Sequence, residues 1–505
     1  MTQSLLSVPQ RLGTNHLAQI TKKISYFHVV ILFFAYVVLS LLVGGRGVLH
    51  QEMNVRLPAH ISGKPILQII FDAKSMNIGG WEGRQLSFLF DIIDGNFVAL
   101  GIRLGVPHFR SLTHYVFTFI LMFYLWSFLT RIVKLDRLLS LLLIALLLTT
   151  PSFIYSYYYR TSKIGVTLFV ILLLGEMYKV IRGEIYLDVK IKKPFWLVLI
   201  FLFSTLALML FDLLGGFFAT VLIIYLLLAL LYKPDRNKSA ALAGMVTGYT
   251  IWVLYFLYLG PAIMLAITGQ KADTSYLTSA PLQYFPGQLL IAMPYFIVDM
   301  VRYLFGYIPE IGGAFLLLCA VTTSIWLTVR SKKKIVGSWA QDAPISNSEQ
   351  LKQKIISRLR AFISRYEPLL TMLFMLGGIT IIYALLVTRH GPILWPDVRP
   401  VYYIMPAQAV LLFAAATLLT RARIKWILKF RGMYYFTLVL LIFFLSGNII
   451  GSICIKNLLF NSGQNMEAFP HDSALLNSLA HINSPGFEPD AKIAADPVYQ
   501  LFSKP

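Results

Sequence analysis

The sequence predicts an all-α polytopic membrane protein, and three observations carry that reading. Of its 505 residues, 57% are hydrophobic and the mean hydropathy is +0.70, more apolar sequence than a soluble core absorbs. The apolar residues gather in runs of roughly 18 or more, the length a helix needs to cross about 30 Å of hydrocarbon. The formal net charge is +21, and its Lys and Arg fall between the runs. On a soluble chain such an excess points to nucleic acid, but between apolar runs it marks membrane sidedness. No nucleic-acid partner is expected.

Taken in order, spans are predicted at 24–44, 113–130, 138–157, 164–181, 195–211, 216–232, 240–260, 312–329, 368–387, 403–420 and 433–454, about eleven in all. With the N-terminus inside, 28 of the 44 Lys and Arg fall on cytoplasmic segments, counting Lys179 at the inner end of its span, and 16 fall outside. Short loops such as 131–137 and 421–431 hold many of them, and those loops weigh most in the positive-inside rule. The expected orientation is N-in, C-out. Residues 1–454 then form one transmembrane domain, and 455–505 a short extracytoplasmic tail. Segment 289–308 is apolar enough to span, but a crossing there would place Arg330 and Lys332 to Lys334 outside. Pro294, Asp299 and Arg302 also interrupt it. It is read as a helix or re-entrant piece in the outer interface, with a twelfth span as the alternative.

The remaining segments are small. The first outer loop covers 45–112, a second outer segment 261–311, a basic cytoplasmic segment 330–367 and a short outer loop 388–402. In the basic segment Leu351, Ile355, Leu359 and Phe362 repeat at helical spacing among Lys and Arg, a pattern that suits a helix resting on anionic headgroups but is expected here as a solvated linker helix, and it is assigned no chemistry. Cys319 and Cys454 fall inside predicted spans, which excludes a disulfide framework. Lys22 and Lys23 ahead of the first run read as an uncleaved signal anchor. The Asn237 sequon lies in a predicted cytoplasmic loop and carries nothing.

Two outer loops hold the candidate chemistry. The first contains WEGRQLSFLFDIIDGNF over 81–97. As a helix it would place Arg84, Ser87, Asp91 and Asp94 on one face and Leu86, Leu89, Phe90, Ile93 and Phe97 on the other. Such a helix is expected to lie on the bilayer surface with its carboxylates at the water boundary. Asp72, Glu82, Asp91 and Asp94 are the candidate catalytic carboxylates. The second loop sets Arg389, His390, Asp397, Arg399, Tyr402 and Tyr403 within fifteen residues just before a span. Carboxylates serve as bases, and Arg or His holds phosphate, so the pair of loops suits reaction at a phosphate-linked carbon. No nucleophile elbow, Walker loop, zinc motif or Cys pair occurs. Against these roles stand blander ones. The acidic residues are also the pattern of a solvated helix face, Arg389, His390 and Arg399 of headgroup anchors, and the tyrosines of 155–160 of an interfacial belt. Asp212 is expected at an outer span boundary, and His28 and His114 as interface residues.

A long acidic first outer loop, about eleven spans, and the late element Arg399-Pro400-Val401-Tyr402-Tyr403-Ile404-Met405-Pro406 leading into a span together resemble the polytopic GT-C glycosyltransferases. The likeness covers the architecture of most of the chain, and its motifs are short. In that family a first-loop Asp or Glu, ahead of a helix along the membrane, acts as base or orients the acceptor. Trp81-Glu82-Gly83-Arg84 takes that place here, with Glu82 the first choice, although many members carry an acidic pair there. The resemblance implies a GT-C-like fold and an inverting transfer of sugar from a polyprenyl-phosphate donor to a lipid-linked, glycan or protein acceptor, in cell-envelope glycan biosynthesis. It also implies substrate contacts from Arg84, Arg389, His390, Arg399, Tyr402 and Tyr403, and an active site on the outer face of a bacterial inner membrane. No cofactor is required, no metal ligands are assigned, and a divalent metal stays open. A lipid-linked saccharide polymerase or ligase is the alternative, which should place its main loop late in the chain. A transporter or flippase of lipid-linked saccharide is the second, which should carry ionisable groups within spans and internal repeats that this chain lacks.

Overall fold

The computed structural model describes residues 24–43, 65–71, 81, 83–104, 112–150, 153, 162–182, 193–212, 215–232 and 234–272, with scattered residues between 377 and 503. Among them there are helices and no strands. The helices are α1 (Tyr26–Val43), α2 (Ile66–Phe71), α3 (Gln85–Arg103), α4 (Leu112–Ser127), α5 (Arg137–Thr149), α6 (Ser162–Arg182), α7 (Lys193–Phe211), α8 (Gly215–Tyr232), α9 (Arg236–Leu254), α10 (Gly260–Thr268) and the short α11 (Ala491–Ala494). A π turn, Phe128–Ile132, prolongs α4, and another, Tyr255–Leu259, joins α9 to α10. By length and composition, Leu112–Ile132, Pro194–Phe211 and Arg236–Thr268 are long and apolar enough to cross a membrane; Tyr26–Leu42, Arg137–Thr149 and Gly215–Leu231 are shorter apolar helices. The first seven expected spans coincide with helices; of the later four, 312–329 lies outside the described residues, and 368–387, 403–420 and 433–454 are described only at scattered positions.

Two of those helices differ from expectation at their ends. The segment expected over 138–157 stops at Thr149, where the Thr149 and Thr150 hydroxyls donate to the carbonyls of Ala145 (2.9 Å) and Leu147 (2.7 Å). Pro151 follows, and the residue before a proline is pushed out of helical geometry; Thr150 is extended at φ −61°, ψ 143°. The segment expected over 240–260 starts earlier, because the Asp235 carboxylate accepts the Asn237 amide at 2.7 Å and caps α9. It also runs on to Thr268: the π turn absorbs an extra residue, Pro261 falls in the first turn of α10 where it costs no hydrogen bond, and Gly269 at φ +71° closes the helix.

Packing is built around α7. Its broadest contact is with α9, and it also meets α6, α8 and α3. The approach to α9 is close because Gly244 and Gly248 leave room: a Cβ on either would fall 2.4 Å from the Val198 carbonyl oxygen or 2.7 Å from that of Leu202. This is the small-residue spacing by which apolar helices pack without a hydrophobic drive between them. On the other side α4 contacts α1, α5 and α6. Outward rows such as Phe27, Phe34, Leu228 and Leu231 stay exposed, as apolar helices facing lipid require.

One end of the body is basic. The Arg137 guanidinium donates to the Ile24 carbonyl at 3.1 Å, and Arg131 lies 5.5 Å over the Tyr26 ring, tying the start of α1 to the turn between α4 and α5. At the other end α3 lies across α4 and α7. There Phe90 stacks on Phe211 (5.6 Å, 7°) and meets Phe117 edge-on (4.9 Å, 75°), while Phe169 of α6 also touches Phe211 (5.6 Å). Each such contact is worth about 0.5–1.5 kcal/mol beyond burial, so this aromatic group fixes where α3 sits.

Candidate functional site

The segment 81–103 is held at both of its ends by unlike means. At its start, the Trp81 indole donates to the Phe256 carbonyl at 2.9 Å, within the π turn after α9, and stacks on Phe71 of α2 (6.1 Å, 12°). Gly83 follows at φ +65°, and a Cβ there would lie 2.5 Å from the Phe256 ring. Only glycine accepts both that backbone and that approach. Arg84 then sets its guanidinium 5.5 Å over the Phe88 ring, and α3 begins at Gln85.

At its far end Asp94 is joined to α4. One carboxylate oxygen accepts the Thr113 amide at 3.0 Å and the other accepts the Thr113 hydroxyl at 2.6 Å. Thr113 is in the first turn of α4, so a carboxylate from α3 caps a neighbouring helix and satisfies one of its orphan donors. Beside it His114, fully buried, places Nε2 2.9 Å from the Tyr36 hydroxyl, which donates to the Phe153 carbonyl at 3.0 Å. A tyrosine hydroxyl has one proton to give, so with Phe153 as its acceptor the imidazole must donate from Nε2. The chain of contacts Asp94, Thr113, His114, Tyr36 and Phe153 thus runs from α3 through α4 to α1 and the segment after α5.

The polar face of α3 does not point to water. Ser87 is fully buried, and Asp91 and Asp94 are each 3% exposed. Leu86, Leu89, Phe90, Ile93 and Phe97, expected to be the membrane-embedded face, are only half-buried. The amphipathic pattern was a correct guide to which residues share a face, but the more deeply buried face is the polar one, which Asp94 ties to Thr113 of α4, while Phe90 on the other face packs on Phe117 and Phe211. Asp212 is likewise 5% exposed at the end of α7, and His114 is an interior residue rather than an interfacial one.

Of the predicted site residues, the structure thus brings Arg84, Asp91 and Asp94 onto one inward face. Asp72, Glu82, Arg389, His390, Arg399, Tyr402 and Tyr403 lie outside the described residues. Thr113, His114 and Tyr36 were not singled out for the site; the pairing of Asp94 with a residue 19 positions later leaves no mark in local spacing. Among the described residues no group of His, Cys, Asp and Glu gathers as metal ligands. Along α3, Asp91 stands about 6 Å beyond Ser87 and about 10 Å beyond Arg84 at 1.5 Å per residue. A cation near a helix N-terminus and a carboxylate two turns on can hold the two charged ends of a polar substrate. No protein-family model, curated protein or solved structure matches the chain.

Proposed function

We propose that this chain is an inverting membrane glycosyltransferase of GT-C type, moving a sugar from a polyprenyl-phosphate donor to a lipid-linked, glycan or protein acceptor at the outer face of a bacterial inner membrane. The observation that carries the reading is the inward turn of α3: its carboxylates are buried against the ends of apolar helices instead of being solvated. Burial of polar residues at that depth is costly and is a mark of sites with a chemical task.

In the proposed reaction an acceptor hydroxyl oxygen attacks the anomeric carbon, the bond from that carbon to the phosphate oxygen breaks, and polyprenyl phosphate leaves with the bonding electrons. The hydroxyl proton passes to a carboxylate, Glu82 or Asp91. Asp94, with both oxygens on Thr113, positions α3 beside α4. Arg399 and Arg84 hold the leaving phosphate, for which a permanently charged, planar fork is suited, with Arg389, His390, Tyr402 and Tyr403 at the entry of the lipid path.

Mass spectrometry of lipid-linked sugars and surface glycans tests this directly. Cells lacking the protein should accumulate one polyprenyl-phosphate sugar and lose one glycan substituent, and the wild-type gene should restore both. Unchanged lipid-linked sugars and unchanged glycans in those cells would refute the reading.

A further inference from the structure

The N-terminal turn of α3 has the composition of an anion site. Its first three residues are Gln85, Leu86 and Ser87, with no acidic residue among them, and Arg84 precedes them. The amides of a first turn have no intrahelical acceptors, and the helix dipole adds roughly half a positive charge there. A second observation points to a ligand. The Ser87 hydroxyl is fully buried and has no hydrogen-bond partner among the described residues, although serine in a helix ordinarily bonds the carbonyl one turn back. Helical side chains lean toward the N-terminus, so this hydroxyl leans toward the same turn. The Gln85 side-chain oxygen is also buried and unpartnered among the described residues.

We propose that the first turn of α3, with Arg84, Gln85 and Ser87, binds a phosphate group. Arg84 supplies charge, the first-turn amides and the Ser87 hydroxyl donate, and Gln85, with its amide turned so that the NH2 faces the site, donates to a further oxygen. The turn is preorganised from outside the helix: Trp81 on the Phe256 carbonyl and Gly83 against the Phe256 ring fix the chain entering it. Among the described residues Asp91 is the next carboxylate on the same face, about 6 Å beyond Ser87 along the axis. The inference rests on the glycosyl-transfer reading only for the natural source of the phosphate, a lipid headgroup.

Calorimetric titration of the full-length protein in phosphatidylcholine nanodiscs, with inorganic phosphate and with dodecyl phosphate, decides the matter. Saturable binding of both probes assigns the site to phosphate itself; binding of dodecyl phosphate alone assigns it to a lipid-borne phosphate. Ser87→Ala should weaken binding roughly 2- to 10-fold, the worth of one hydrogen bond, while leaving the melting temperature unchanged, since no protein partner loses a bond. Ser87→Asp places a negative charge at the same turn and should abolish binding; its melting temperature is read alongside, because a carboxylate at a buried position costs stability, and Ser87→Ala carries the test if that variant unfolds. No saturable binding of either probe, or equal binding by wild type and both Ser87 variants, would overturn the proposal. Both probes lack sugar, so phosphate binding in cells with unchanged glycans refutes the transfer reading alone. Intact transfer with Ser87→Asp refutes this inference alone.

Discussion

Asp91 and Asp94 are about one turn apart on the same buried face, and the partner of Asp94 gives it structural work. Asp94 gives both oxygens to Thr113, so Asp94→Ala strands a buried amide and hydroxyl and should cost about 1–3 kcal/mol of stability. Asp94→Asn keeps an acceptor for the amide and offers a donor to the hydroxyl oxygen, and should lose less than half as much. Thermal unfolding in detergent measures both; equal stability of Asp94→Ala and wild type would show that the cap contributes nothing. The prediction for Asp91 concerns transfer. If it or Glu82 takes the acceptor proton, Asp91→Asn or Glu82→Gln should lower transfer by roughly 10²- to 10⁴-fold in folded, membrane-inserted protein. Near-wild-type transfer in both variants would remove both carboxylates from the mechanism. At the phosphate end, Arg399→Lys keeps charge but loses the fork, so impaired turnover there separates substrate contact from a headgroup anchor, for which lysine serves equally.

At the scale of elements, the sequence was most legible where a single physical requirement dominates. Crossing hydrocarbon fixes helix length and apolarity, and the segments expected from 24 to 260 are helices. Less legible were features decided by partners elsewhere in the chain. The period of α3 separates its two faces but cannot tell which one meets protein, since that depends on the aromatic group Phe90, Phe117 and Phe211 drawn from three helices. The π turns, too, left no spacing signal. The Gly244 to Gly248 interval was visible as letters, and its meaning needed α7 beside it. A methyl group on Gly244 meets a backbone oxygen at 2.4 Å and cannot be relieved by a rotamer change, so Gly244→Ala must part α7 from α9, at a cost of about 1–3 kcal/mol, the usual range for overpacking. Gly269→Ala is the control, because no atom lies within 4 Å of its Cβ and only its φ of +71° opposes it. A fall in melting temperature confined to Gly269→Ala would contradict the close-packed seam.

For the whole molecule, the connections bring basic residues to one end and the inward face of α3 to the other. Arg131, Lys134 and Arg137 flank the turn from α4 to α5, and Arg236 and Lys238 open α9. The chain between Ile24 and Tyr36 runs from the first end to the second, since Ile24 bonds Arg137 while Tyr36 bonds His114. The positive-inside rule predicts that the basic end faces the cytoplasm, because short-loop Lys and Arg resist translocation. The site proposed at α3 then faces outward, where a lipid-linked sugar would meet its acceptor. Single cysteines, in a chain with Cys319 and Cys454 replaced, test this orientation. Asn96 and Lys134 are both exposed side chains, so each accepts a cysteine without disturbing the core. In intact cells an impermeant maleimide should label Asn96→Cys and leave Lys134→Cys and Ser348→Cys unlabelled until the membrane is opened. Labelling of Lys134→Cys from outside, with Asn96→Cys protected, would invert the protein in its membrane and place the α3 site among cytoplasmic substrates, where a nucleotide-activated donor would replace the polyprenyl one.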